Sequence, residues 1–297
     1  MPTPVVIDTD IGTDIDDTWA LAMALGCPEL DVKLITTCTG DTAVRAKIVC
    51  KMLEAVGAAH IPVAVGLPFE AGREMQAAWV EDYTLEQYPG EVSYDAAASI
   101  HQLLETEEEL TLIAIGPLPN VADLVKRYPE DLARIRFIGM HGAVRKGYFG
   151  SETVSAEYNV KEHLDCAQVV FSSDLDMTIT PLDTCGLVRL KDEHYQEVAQ
   201  IQNKSMSVVL DNYRIWLTAI GKNPDIADEK SSVLFDTVAI YLAYADELLE
   251  IENLSIAVDE EGKTVISEAG KLMRVATEWR DMPAFQTHLL ERLAAAP

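Results

Sequence analysis

Six short runs, PVVIDT, DVKLITT, IPVAVG, LTLIAIG, RIRFIGM and LDMTIT, are apolar and rich in β-branched residues, and longer helical patterns separate them. Among these are DDTWALAMALG, DTAVRAKIVCKMLEAVG and YDAAASIHQLLET. Several of the short runs are nearly continuous in apolar character, as strands buried on both faces are. The β-α-β alternation predicts an α/β fold: an open, mainly parallel sheet flanked by helices, with right-handed crossovers. Residues 200–245 read as helical and 249–279 as late strands. Two long irregular stretches, Pro68 to Gly90 and the residues after RIRFIGM, have the length of functional loops. No repeat or linker divides the chain, so one domain over 1–297 with a helical and loop cap over the carboxyl edge of the sheet is expected.

In such a sheet, ligands bind beyond the carboxyl ends of the strands. The first strand ends in DTDIGTDIDD, with five aspartates between Asp8 and Asp17 and no basic residue. One or two aspartates would be accounted for by turn and N-cap chemistry. Five crowded carboxylates either raise one another's pKa or hold a cation. All-oxygen donors suit Ca²⁺ or Mg²⁺. An EF-hand loop is excluded, because its sixth and twelfth positions, counted from Asp8, are Thr13 and Trp19. A phosphate loop is excluded by the lack of G-x-x-x-x-G-K-[ST].

The formal charge of −26 disfavours nucleic acid and anionic membranes as partners. No apolar run is long enough to span a bilayer, and no signal peptide is visible. Five scattered cysteines without C-x-x-C spacing predict free thiols in a cytoplasmic setting.

DTDIGTDIDDTWAL resembles the opening D-x-D-P-G-x-D-D of the inosine–uridine-preferring nucleoside hydrolase family, with two more residues before the final Asp pair. LIAIGPLPNVADL resembles the family's G-P-L-T-N turn, GMHGAV its M-G-G segment, AEYNV its A-E-F-N segment and VLFDTVAI its late H-D-P helix start. Their order along the chain makes the resemblance specific. It implies a nucleoside hydrolase-like fold and cleavage of the N-glycosidic bond of ribonucleosides or related ribosides by a water that Ca²⁺ activates. It also implies a homodimer or homotetramer. By the same resemblance Asp10, Asp17, Asp236 and the carbonyl of Ile115 ligate Ca²⁺, and Asp10 is the general base. Asp16, Asp41, Met140, Glu157, Asn159 and Asp236 meet the substrate.

Departures from the pattern gather where the leaving base and the sugar's far hydroxyl would lie. Phe235 stands where members acting on many nucleosides carry a histidine acid. Asp41 and Ser151 each replace an asparagine. His141 is either a substitute acid or a hydrogen-bonded structural histidine, the latter favoured. Tyr213 and Trp216, one turn apart, read as core in preference to a stacking pair. Asp14, left over by the insertion, is expected to face solvent. Two other readings stand beside the hydrolase: an enzyme for a different ribosyl-like glycoside, and a sugar- or nucleoside-binding protein without turnover. A D-x-D phosphatase is more remote, since no supporting lysine motif is present.

Overall fold

A computed structural model describes residues 2–297. The strands are β1 (Thr3–Thr9), β2 (Leu30–Thr37), β3 (Val63–Val65), β4 (Val92–Ser93), β5 (Leu110–Ala114), β6 (Ile135–Met140), β7 (Asp176–Thr180), β8 (Leu249–Val258), β9 (Thr264–Ile266) and β10 (Lys271–Trp279). They form one sheet in the order β4-β3-β2-β1-β5-β6-β7-β10-β8-β9. Pairing is parallel from β4 across to β10, and antiparallel from β10 to β8 and from β8 to β9. The expected mainly parallel sheet is therefore present, with an antiparallel margin from the late strands.

Helices α1 (Asp16–Leu25), α2 (Thr42–Ala55), α3 (Ala96–Leu103), α4 (Pro119–Arg127), α5 (Tyr158–Glu162), α6 (Leu164–Phe171), α7 (Asp192–Val198), α8 (Lys204–Ala219), α9 (Thr237–Leu242) and α10 (Met282–Ala295) cover the sheet. Alternate residues of β1 serve different cores. Val5 and Ile7 join the cluster that includes Trp19, Met23 and Phe285, while Val6 joins Leu34, Leu112 and Phe137 on the other face. That two-sided burial is the reason the strand is apolar at nearly every position.

The chain steps outward from β1 through β2, β3 and β4, then resumes on the other side of β1 with β5, β6 and β7. The topological switch point thus lies between β1 and β5, where ligands of open α/β sheets bind. Ile115 donates its N–H to the carbonyl of Asp8 at 2.8 Å, so the two strand ends stay together as they leave the sheet. A side chain at Gly116 would place its Cβ 2.7 Å from the backbone nitrogen of Asp10. This close approach lets the β5 turn lie against the β1 turn.

Candidate active site

The acidic loop is fixed at the end of β1 by β1 itself. The hydroxyl of Thr9 donates to the carboxylate of Asp17 and accepts from the N–H of Ile11 at 3.0 Å. The chain then reverses at Gly12, whose φ of +110° is available to glycine without a side-chain penalty. Asp16 and Asp17 open α1, where negative charge suits the helix N-terminus.

Two polar side chains that the sequence did not single out hold this loop from behind. Arg45 of α2 is fully buried. Its guanidinium donates to the carbonyls of Asp10 and Ile11 and, through Nε, to that of Thr39 at 2.7 Å. Gln76 is also fully buried. It accepts from the hydroxyl of Thr18 at 3.0 Å and donates to the carbonyl of Asp14 at 2.9 Å. The adjacent Met75 donates its N–H to the carbonyl of Gly12 at 2.7 Å. The irregular stretch from Pro68 to Gly90 is therefore a brace for the acidic loop. Neither Arg45, which shares the run AVRAKIVC with a second basic residue, Lys47, nor Gln76 carried a distinctive signal in the sequence.

A cavity of about 210 Å³ opens at this point. Asp10, Asp16, Asp17, Ile115, Met140, Glu157, Asn159 and Asp236 all line it, although they come from five separate parts of the sequence. Thr13, Asp14, Tyr148, Tyr158 and Phe235 complete the wall. Asp16, Asp17 and Asp236 each offer a carboxylate oxygen within 4.8 Å of the others, the one such group of three potential metal ligands among the described residues. Asp10 shares the cavity and acts electrostatically on Asp17 and Asp236.

Burial raises the pKa of each of these carboxyls, and for Asp16, Asp17 and Asp236 it does so strongly, with the neighbouring carboxylates adding to the effect. At this spacing the carboxyls repel one another when ionised, and protons relieve that repulsion. A divalent cation would take the place of those protons and keep the carboxylates ionised. The donor set therefore fits a hard cation.

Glu157 is the N-cap of α5. Its oxygens accept the N–H groups of Asn159 (2.7 Å), Gly142 (3.0 Å) and Val160 (3.2 Å). Burial nevertheless lifts its pKa to about 7 against these lowering bonds. The Asn159 amide donates to the carbonyls of Ile115 and Met140 at 3.0 and 3.1 Å, tying together the ends of β5 and β6.

Four expectations resolve differently or more narrowly. Asp41, expected to meet substrate, is not among the cavity-lining residues. Its carboxylate caps α2 instead, accepting from Ala43 and Val44 at 3.1 and 3.0 Å. Asp14, expected in solvent, is half-buried and lines the cavity, with its carbonyl held by the Gln76 amide, and burial raises its pKa to about 6. His141 is the structural histidine: it is fully buried, its Nε2 bonds the carbonyl of Gly116 at 3.0 Å, and burial lowers its pKa to about 4. Tyr213 and Trp216 are core; Tyr213 meets Trp19 edge-on, and Trp216 donates Nε1 to the carbonyl of Thr13 at 3.2 Å.

The cap contributes aromatic walls. Tyr148 packs edge-to-face on Phe235 with ring centroids 6.2 Å apart, and its hydroxyl accepts the N–H of Tyr158 at 3.0 Å. Arg73 donates to the hydroxyl of Tyr158 at 3.3 Å and to Glu162 at 3.2 Å.

An open α/β sheet with a cluster of buried carboxylates at its switch point is an arrangement suited to holding a hard cation and a small polar ligand. The sequence matches the model of the inosine-uridine preferring nucleoside hydrolase family over residues 5–287. The chain belongs to that family, the hydrolases of the N-glycosidic bond of ribonucleosides. It is 28% identical to a non-specific ribonucleoside hydrolase RihC of Klebsiella pneumoniae over an alignment covering all of both chains. It is 29% identical to a protein of the same description from Salmonella paratyphi A, covering 99% of this chain and 98% of the other. Among solved structures, a plant nucleoside hydrolase superposes with a TM-score of 0.81 at 21% identity over the whole of both chains. A purine-preferring ribonucleoside hydrolase from Gardnerella vaginalis gives 0.77 at 22% over 98% of each.

Proposed function

We propose that this chain is a Ca²⁺-dependent N-ribohydrolase in which Asp10 is the general base. The observation that carries this reading is the convergence of Asp10, Asp16, Asp17 and Asp236 with the Ile115 turn, Glu157 and Asn159 in one buried cavity. The carboxylates of Asp10, Asp17 and Asp236 and the carbonyl of Ile115 are the proposed calcium ligands. When bound, the ion supplies acidification of water and an anchor for a vicinal diol.

Asp10 takes a proton from the water that attacks C1′ of the ribosyl group. Asp16, Glu157 and Asn159 accept and donate hydrogen bonds to the sugar hydroxyls, and Met140 packs against the sugar. Positive charge develops on the ring as the C1′–N bond opens, and the fixed carboxylates around it stabilise that charge. The reaction would differ from the two-carboxylate glycosidase pattern in that a bound ion, together with Asp10, activates the attacking water.

Five free cysteines support a reducing, cytoplasmic setting, and no helix among the described residues is long and apolar enough to cross a membrane. A homodimer or homotetramer is proposed on family likeness, and sedimentation analysis tests it. The test of function is a nucleoside panel assayed for free ribose with and without calcium, alongside elemental analysis. About one calcium per chain and calcium-dependent ribose release are expected. Zinc as the sole bound metal, or ribose release indifferent to chelation, contradicts the reading.

A further inference from the structure

We infer that the preferred substrates are ribosides whose leaving heterocycle is already cationic at the glycosidic nitrogen, as in an N-ribosylpyridinium. This rests on the N-ribohydrolase reading and specifies its substrate class. A neutral base leaves C1′ with the bonding electron pair and needs a proton on the departing ring. A pyridinium takes the same pair to neutralise its own charge. The balanced reaction is ribosylpyridinium plus water giving ribose, neutral pyridine and one proton, which leaves through the base that activates the water.

The cavity is built for the second case. Its titratable lining consists of six carboxyl groups, those of Asp10, Asp14, Asp16, Asp17, Glu157 and Asp236, together with the phenols of Tyr148 and Tyr158. No lysine, arginine or histidine lines it. The imidazoles of His141 and His163, close in sequence to lining residues, are engaged elsewhere. His141 faces the carbonyl of Gly116 inside the core, and His163 bonds the hydroxyl of Thr39 with its ring tilted against that of Phe69. The one aromatic side chain without a polar atom, Phe235, meets Tyr148 edge-to-face, so the wall presents π surface beside a floor of carboxyl groups. Both features attract a flat cation, the aromatic faces through their quadrupoles and the carboxylates through their charge. The same wall already holds a planar cation on its outer side, where the guanidinium of Arg73 lies 5.7 Å from the centre of the Tyr158 ring.

The test measures kcat/KM for ribose release by the calcium-loaded protein from the riboside of pyridine-3-carboxamide, from inosine and from uridine. The pyridinium riboside is expected to exceed both nucleosides by about 10²-fold or more, the usual contribution of a general acid that it does not need. In Phe235→His the ratio should narrow, as imidazole offers neutral bases a proton. N-Methylpyridinium-3-carboxamide should inhibit at least about tenfold more strongly than neutral pyridine-3-carboxamide, reflecting charge recognition. Inosine turnover equal to or faster than that of the pyridinium riboside overturns the inference while leaving the N-ribohydrolase reading intact. If that turnover is then lost selectively in Tyr148→Phe, the phenol is the missing acid. Equal inhibition by the two pyridines also overturns it. Failure to release ribose from all three compounds removes the underlying reading instead.

Discussion

Asp10 lies where base and ligand roles are separable by a single atom. In Asp10→Asn the amide oxygen still coordinates, but no group accepts the water's proton. Calcium content should stay near the wild-type level while kcat falls by about 10²- to 10⁴-fold; near-wild-type turnover would show that the base is another carboxylate. His141 makes a different statement at the same scale. Its pKa is lowered to about 4 by burial, against ~6.5 in an unfolded chain. A group with a depressed folded pKa contributes stability above its unfolded value and loses it as pH falls toward the folded value. Between pH 7.5 and pH 5 the wild type should therefore lose about 2 kcal/mol more than His141→Gln, which keeps a donor for Gly116 but cannot titrate. Parallel pH profiles in chemical denaturation would disprove that account of the imidazole.

Helix α2 starts from Asp41, whose carboxylate caps it. As an N-cap, its replacement by Ala should cost about 1 kcal/mol of stability, with Asp41→Ser recovering most of it and KM for a cleaved riboside little changed in both. A KM rise of tenfold or more in Asp41→Ser would restore the substrate role and count against the cap as its main function. This element shows where the sequence could be read and where it could not. The strands and α1 to α3 follow from apolar periodicity, which is local. Asp10, Asp17 and Asp236 were recognisable because motif order linked residues far apart in the chain. That Asp41 caps a helix and Asp14 lines the cavity was not legible, because loop path decides which of the two a carboxylate does. That path depends on Gln76 and Arg45, whose partners lie 58 and 35 residues away. The two-residue strand β4 has too little periodicity to find, and its pairing with β3 creates it.

Across the whole molecule, folding gathers six carboxyls into one cavity of a chain with a net charge of −26. Without a cation, their folded pKa values stand above those of the unfolded chain: Asp14 at about 6, Glu157 at about 7, and Asp10, Asp16, Asp17 and Asp236 raised. Buried Asp8, bonded by Asn120 at 2.7 Å, adds another at about 6. The native state then binds more protons than the unfolded state, so stability is present at low pH and declines as pH rises through the folded values. His141 works in the opposite direction with a single proton. The calcium-free protein should accordingly gain thermal stability on acidification from pH 8 to pH 6. Calcium bound to the proposed ligands would hold them ionised without that penalty, so the loaded protein should show a flatter profile over the same range. Binding to the folded state alone contributes RT ln(1 + [L]/Kd), about 2.7 kcal/mol at a hundredfold excess over Kd. The gap between the two melting curves should therefore be widest near pH 8 and shrink toward pH 6, as protons displace the cation. Scanning calorimetry with chelator or with calcium measures both curves, and a gap independent of pH would mean that the ion is not held by these buried carboxylates.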